Sequence, residues 1–299
     1  MLASTNDVYD RITGTSASDT VSYATATSAV HISLSLKGAQ STGGSSFDDL
    51  ISIENILGSG FGDTLEGDNG NNIIDGAAGS DTVSYRNAAS GVTISLSLTT
   101  SQATGGAGFD TLLNLENIIG SSFSDRLQGS ALANVILGGD GNDLLVGTNG
   151  SDVLDGGEGF DTADYSSLSA VVSLRAFGGL GKGALGTDTL IGIETVIGSS
   201  LQGDTVDHSG ASVAPASGTV TNLSTGVVTV NGTAAPLPLT FNVSQFENVI
   251  GSGFADTITG NGANNSLVGG AGNDSLIASA GNDTLDGGSG SDTANYNAL

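Results

Sequence analysis

Cysteine and tryptophan are absent from this sequence of 299 residues, proline occurs three times, and lysine and arginine together occur six times. Without cysteine there is no disulfide staple and no thiolate chemistry. Against six basic residues stand 31 Asp+Glu, a formal net charge of −25. Such a surface repels nucleic acid and anionic membranes, so neither is expected as a partner. No apolar stretch approaches the ~20 residues a membrane helix needs, so no membrane insertion is expected. The opening Met1–Asp7 has no basic region and no apolar run, and no cleavable signal peptide is expected there. The two histidines, His31 and His208, form no H-E-x-x-H motif, and no G-x-S-x-G elbow is present. His31 is expected on the solvent side of an alternating strand and His208 on the surface of an irregular region. No catalytic residue emerges, and the chain is not expected to be an enzyme.

What is present in excess is glycine, 48 residues of it. Ordered glycine is costly in backbone entropy and disfavours helix, while the aliphatic residues are too regularly placed for disorder. Tight turns joined by short apolar strands reconcile the two observations. Glycine recurs every nine residues at Gly120, Gly129, Gly138, Gly147 and Gly156. The sixth positions of these blocks are Asp125, Asn134, Asp143, Asp152 and Asp161, and the eighth are apolar. A second run starts at Gly251, Gly260, Gly269, Ala278 and Gly287, with Asp256, Asn265, Asp274, Asp283 and Asp292 sixth. A shorter run at Gly58, Gly67 and Gly76 carries Asp63, Asn72 and Asp81, and a worn pair carries Asp10 and Asp19.

The fullest blocks are Gly138-Gly139-Asp140-Gly141-Asn142-Asp143 and Gly269-Gly270-Ala271-Gly272-Asn273-Asp274. Gly156-Gly157-Glu158-Gly159-Phe160-Asp161 and Gly287-Gly288-Ser289-Gly290-Ser291-Asp292 share their pattern. They resemble the G-G-x-G-x-D-x-U-x nonapeptide of RTX, or haemolysin-type, calcium-binding proteins. The resemblance implies ions held between stacked turns by these Asp side chains and glycine carbonyls. It also implies folding triggered by extracellular calcium and export by a type I system through an uncleaved C-terminal signal.

A longer period overlies the short one. Asp19-Thr20-Val21-Ser22-Tyr23 returns at Asp81–Tyr85, as Asp161–Tyr165 and as Asp292–Tyr296. The first two tyrosines are 62 apart (23 to 85) and the next two 80 (85 to 165), a difference of 18, or two nonapeptides. The fold expected is therefore all-β, a parallel β-roll or β-solenoid with two nonapeptides per turn. Each tyrosine is expected to cap the last coil of a run. Alternating strands follow, such as Val30, Ile32, Leu34, Leu36 and Val92, Ile94, Leu96, Leu98, with one face buried. Then come a Gly/Thr-rich turn, a phrase such as Phe109-Asp110-Thr111-Leu112, and Ile53-Glu54-Asn55 or a relative of it. Tyr85–Ile119, 35 residues, is close to two further turns. The organisation expected is repeat units over 1–198, with nonapeptide runs at 58–84 and 120–164. A degenerate segment with all three prolines (Pro215, Pro236, Pro238) follows over 199–250, and a terminal run over 251–299. Both ends read as cuts in a longer repetitive protein.

Calcium takes roughly six to eight oxygen ligands from carboxylates and carbonyls. Residues 18 apart share an edge of the coil, grouping Asp125, Asp143 and Asp161, then Asp256, Asp274 and Asp292, with Asp63 and Asp81 as a pair. Asn134 with Asp152 and Asn265 with Asp283 lie on the opposite edge. Expected ligands are these Asp residues and the glycines of the full blocks: Gly138, Gly139, Gly141; Gly156, Gly157, Gly159; Gly269, Gly270, Gly272; Gly287, Gly288, Gly290. Asn72, Asn134 and Asn265 are neutral and should bind more weakly. Asp10 and Asp19 read as turn formers. Gly181-Lys182-Gly183-Ala184-Leu185-Gly186 fits G-x-G-x-x-G, but no helix pattern follows it, and it fills the turn slot of Thr104–Gly108. The function expected is a calcium-binding extracellular structural or adhesive protein of surface-layer or biofilm type. The alternative is the accessory module of a secreted enzyme or toxin. Calcium ions, further copies of the chain and cell-surface polysaccharide are the partners compatible with the first.

Overall fold

In the computed structural model, residues 2–3, 9–43, 47–175, 178–210, 218–231 and 239–296 are described. The described residues are all-β, with short strands and one 3-10 turn at Gly183–Leu185. The three prolines, and Asn297 to Leu299, lie outside the described residues. The chain divides into two compact units, Met1–Thr148 with Val153–Gly159, and Asn149–Asp152 with Phe160–Leu299.

Inside the nonapeptide runs most strands are three residues long, Val135–Asp140 and Val153–Glu158 being six, and the apolar eighth position is turned inward. In the first unit Leu127 pairs in parallel with Leu145, Ile136 with Leu154, and Ile56 with Ile74, each step being 18 residues. In the second unit Ile258 pairs with Leu276 and Leu267 with Leu285. Two nonapeptides therefore make one coil, and the fold is the β-roll read from the spacing. The core is one side chain deep per strand: Leu65, Leu127, Leu145, Ile258 and Leu267 are fully buried. Each such burial stabilises by about 1.5–3 kcal/mol.

The segments between runs do not add two ordinary turns. Val83 pairs directly with Ile118, so Tyr85–Ile119 forms one long coil. Its surplus residues fold back within the layer as an antiparallel meander. Gln102–Gly105 pairs with Gly108–Leu113 on one side, and Gly105 bridges to Val92 on the other. The first coil does the same through Gln40–Ser41 with Phe47–Ile51 and the Val30 to Gly43 bridge. In the second unit Ser173–Arg175, Gly179–Gly181 and Thr187–Ile191 form a third meander.

The segment from 199 to 250, expected to be degenerate, contains a fourth. Thr205–Asp207 sits in parallel register between Ser173–Arg175 and Asn248–Ile250. Thr219–Asn222, Val227–Val230 and Leu239–Ser244 then run antiparallel. The phrase Asp204-Thr205-Val206-Asp207-His208 is the tyrosine phrase with histidine in the last place.

That substitution corrects two expectations. Tyr23, Tyr85 and Tyr165 are buried, and each hydroxyl donates to a buried carboxylate of the last meander strand: Asp48 (2.8 Å), Asp110 (3.0 Å) and Asp188 (2.7 Å). They lock a meander to its coil rather than capping a run, whereas Tyr296 is exposed. His208 is likewise fully buried, not on the surface, with Nε2 3.0 Å from the Thr221 hydroxyl. His31 is exposed, as the strand alternation predicts.

Burial pushes the His208 imidazole down to about 4, against smaller opposing effects from Asp256 and Asp207. A base whose folded pKa lies below its unfolded value near 6.5 gives its full stability above that pH. That stability drains as pH falls toward 4. His208→Gln should remove this part of the acid sensitivity. In calcium-saturated melts, the difference between variant and parent should move in the variant's favour from pH 7 to pH 4.5; parallel pH profiles would refute it.

Candidate metal centre

A sixth-position carboxylate accepts the backbone N–H of the equivalent residue one coil earlier. The Asp63 N–H donates to Asp81 Oδ1 (2.7 Å), Asp125 to Asp143 (2.8 Å), Asp256 to Asp274 (2.8 Å), Asp274 to Asp292 (3.0 Å) and Asn265 to Asp283 (3.0 Å). Where a meander intervenes, Asp110 and Asp188 of the last meander strand accept the N–H of Asn72 and Asp152 on one edge, and glutamate takes over on the other. Glu54, Glu116, Glu194 and Glu247 accept the N–H of Asp19, Asp81, Asp161 and Asp204, at 2.8, 2.8, 2.8 and 3.1 Å. The backbone N–H groups of each glutamate and its successor return to the carbonyl of that same Asp. The Glu of the Ile-Glu-Asn phrase thus closes the long coil on the residue that opened it. The fourfold recurrence of the phrase in the sequence was the signal for this role.

The second carboxylate oxygen divides the turns into two kinds. In the first kind position two is serine. Ser59 donates both N–H (2.5 Å) and hydroxyl (2.7 Å) to Asp63, and Ser121 does so to Asp125 (2.6 and 2.7 Å). Ser252 does the same for Asp256 (2.6 and 3.0 Å). The other oxygen of each also takes an N–H, from Val30, Val92 or Thr219. These three carboxylates are saturated by their own chain.

In the second kind, position two is left-handed: Gly139 (φ 114°), Gly157 (95°), Gly270 (104°), Gly288 (83°) and, without glycine, Ala77 (71°). Glycine adopts this conformation freely, and an L-residue does so at a cost. The turn aims the position-two N–H elsewhere: Ala77 donates to Asp75 and Gly288 to Asp286, both 3.0 Å. In the Ala77 turn and the Gly270 turn the sixth-position carboxylate, Asp81 or Asp274, lacks that donor. Asp81 Oδ2 and Asp274 Oδ2 are buried with no hydrogen-bond partner among the described residues. Burial pushes Asp81 up to about 6, with Asp63, Glu116 and Asp75 adding repulsion against the Asp63 N–H. Asp274 is raised for the same leading reason.

The first glycine of each block is required by space. A Cβ at Gly269 would overlap the Asp274 carboxylate and the Gly287 carbonyl, and one at Gly138 the Asp143 carboxylate and the Gly156 carbonyl. The fourth stacks likewise: a Cβ at Gly159 or Gly290 would overlap the carbonyl of Gly141 or Gly272. The Gly138 and Gly269 blocks therefore each set a buried carboxylate, Asp143 or Asp274, beside a carbonyl oxygen of the neighbouring coil. This all-oxygen donor set with an unneutralised charge is what a hard divalent cation takes.

The family model described as "RTX calcium-binding nonapeptide repeat (4 copies)" matches residues 53–85, 119–154, 128–163, 245–276 and 259–294. The chain carries RTX calcium-binding nonapeptide repeats, in several copies. RTX repeats bind calcium ions. Comparison with curated proteins gives no match. The RTX segments contain every left-handed turn named above and leave out most of each meander and the worn pair at Asp10 and Asp19. Among the described residues no three carboxylates or imidazoles converge on one point. An RTX site here would draw on one or two aspartates and on main-chain carbonyls.

Of the predicted ligands, Asp143, Asp161 and Asp292 sit in left-handed turns beside Asp81 and Asp274 in kind. Asp63, Asp125 and Asp256 sit in the serine turns. Asp283 accepts N–H groups from Asn265 and Ser279. Asp152 is engaged by a buried lysine, described below. Ala77 is the one non-glycine at position two among these left-handed turns. Ala77→Gly should stabilise the RTX fold by about 1 kcal/mol, because an L-residue in that region costs about that much. Thermal unfolding with saturating calcium measures it, and an unchanged or lowered midpoint would refute the strain argument.

Proposed function

We propose that this chain is an extracellular structural or adhesive repeat protein that folds on binding calcium, that its repeats are the function, and that it is not an enzyme. The observation that carries the reading is the pair of buried, donorless oxygens, Asp81 Oδ2 and Asp274 Oδ2, in turns whose carbonyls stack beside them. Carboxylates on successive coils stand about 5 Å apart and repel by about 3 kcal/mol at an effective dielectric near 20. A cation between them reverses that sign, so folding and metal binding are one equilibrium. The saturated serine turns hold their shape without an ion. Calcium is therefore assigned to the left-handed turns, with Asp81, Asp143, Asp161, Asp274 and Asp292 as ligands.

An extracellular setting follows from the chemistry, since modules of this kind work at the roughly 0.1–1 mM calcium affinities typical outside cells. RTX repeat proteins are typically secreted, which agrees. No helix among the described residues is long and apolar enough to cross a membrane. A structural role is supported by the long unit, which recurs four times with the same glutamate closure. Further copies of the chain and cell-surface polysaccharide are the partners this role would engage.

The test is far-UV circular dichroism during a calcium titration, with EGTA reversal and magnesium as control. Calcium alone should drive a coil-to-β transition, and magnesium should not. Asp274→Asn, which removes a ligand charge, should raise the calcium midpoint several-fold, while Asp256→Asn, in a serine turn, should shift it less. A chain fully β-folded in EGTA and indifferent to calcium would reduce the Asp ladder to turn chemistry.

A further inference from the structure

Lys182 is fully buried in a protein that has very few cations, in the loop that fits G-x-G-x-x-G. Its Nζ lies 2.5 Å from Asp188 Oδ1 and 3.2 Å from Asp152 Oδ2, and both carboxylates are buried as completely. The ammonium also stands 6.0 Å from the centre of the Tyr165 ring, whose hydroxyl donates to the other Asp188 oxygen at 2.7 Å. The Asp152 N–H donates back to Asp188 Oδ1 at 2.9 Å. All of these groups belong to the second unit.

The meander registers show what this lysine replaces. Opposite the buried aspartate of the last meander strand stand Gln40 against Asp48, Gln102 against Asp110 and Leu180 against Asp188. Two residues further on lie Thr42, Thr104 and Lys182, all fully buried. The sixth-position neighbour of each aspartate on the adjoining coil is Asp10, Asn72 or Asp152. With Asn72 and Thr104 the second meander buries one negative charge at this place. The third has a second carboxylate, Asp152, and a lysine, so it too carries a net single negative charge. In the first, Asp10 is partly open to solvent, where water screens its charge.

We propose that the Lys182 ammonium is the resident cation of this coil. It neutralises Asp152 against Asp188 in the manner of a bound metal ion. Asp152, which its place in the nonapeptide marks as a calcium ligand, therefore binds none. The chain has exchanged an ion taken from solution for one built into a meander loop. A buried carboxylate pair tolerates no vacancy, and removing one partner of a buried ion pair is strongly destabilising. The statement about calcium rests on the proposed function; the charge coupling does not.

The test is a double-mutant cycle on the full chain with two readouts, thermal melting and the number of calcium ions bound by native mass spectrometry. Lys182→Thr alone should lower the melting temperature by about 10 °C. Asp152→Asn with Lys182→Thr recreates the Asn72 and Thr104 arrangement and should recover most of that loss. If Lys182→Thr does not fold, refolding of the double variant carries the same meaning. Asp152→Asn alone should leave the calcium count unchanged. Loss of one calcium ion in Asp152→Asn, or a double variant no more stable than Lys182→Thr, would overturn the proposal. A parent that binds no calcium at all would sink the functional reading, while the melting cycle would still decide whether Lys182 is coupled to Asp152.

Discussion

The interaction on which the structure depends is a hydrogen bond from a main-chain N–H to a carboxylate one coil further along. A β-roll turn leaves its sixth N–H pointing along the stack, inside the edge, where water does not reach. An unpaired buried donor costs about 1–3 kcal/mol, and a charge-assisted bond more than offsets that. The acceptor must be short, anionic and fixed in register, which is why Asp recurs; where Asn takes the sixth place, its amide instead donates to the Glu54, Glu116 or Glu247 carbonyl one coil earlier. At a meander the nine-residue spacing is broken, and the N–H is accepted by a glutamate on one edge and by the buried Asp110 or Asp188 on the other.

Several ladder bonds bury a negative charge, as at Asp81, Asp110, Asp143, Asp188 and Asp274, and the rest of the side-chain chemistry manages it. Serine turns close around the carboxylate with a hydroxyl and an N–H. Three tyrosines and one histidine sit where meander meets coil; the tyrosines donate to buried aspartates, and His208 faces the Thr221 hydroxyl instead. Lys182 supplies a full positive charge between two carboxylates. Asp81 Oδ2 and Asp274 Oδ2, both in left-handed turns, are buried without a donor among the described residues, and main-chain carbonyls crowd the same place. Burial holds Asp110 and Asp204 up to about 6 as it does Asp81, the sign of an edge crowded with acid.

Much of this was legible in the sequence. Nine-residue glycine spacing with an apolar eighth position gave the coil, the 18-residue differences gave its register, and the Asp ladder was visible residue by residue. The meanders were not, because an alternating strand and a Gly/Thr turn read the same whether the next strand runs parallel in a new coil or doubles back in the old one. The distinction between saturated and open carboxylates was also hidden. It depends on whether position two is serine or a left-handed residue, and Ala77 takes the second role without glycine's signature. Lys182 is not legible either, since a lysine among glycines gives no sign of burial. The burial of His208 is hidden because the tyrosine phrase has lost its tyrosine there.

The ladder also has a direction. Every carboxylate that accepts a sixth-position N–H lies C-terminal to that donor, so the row of sixth-position N–H groups is paired only by the coil that follows it. A chain emerging from its N-terminus always presents one row of turn donors with nothing to receive them, and the most recently formed coil is the least secure. Order therefore grows by capture of the next segment rather than by completion of the last. A break in the ladder exposes the coil before it, not the one after.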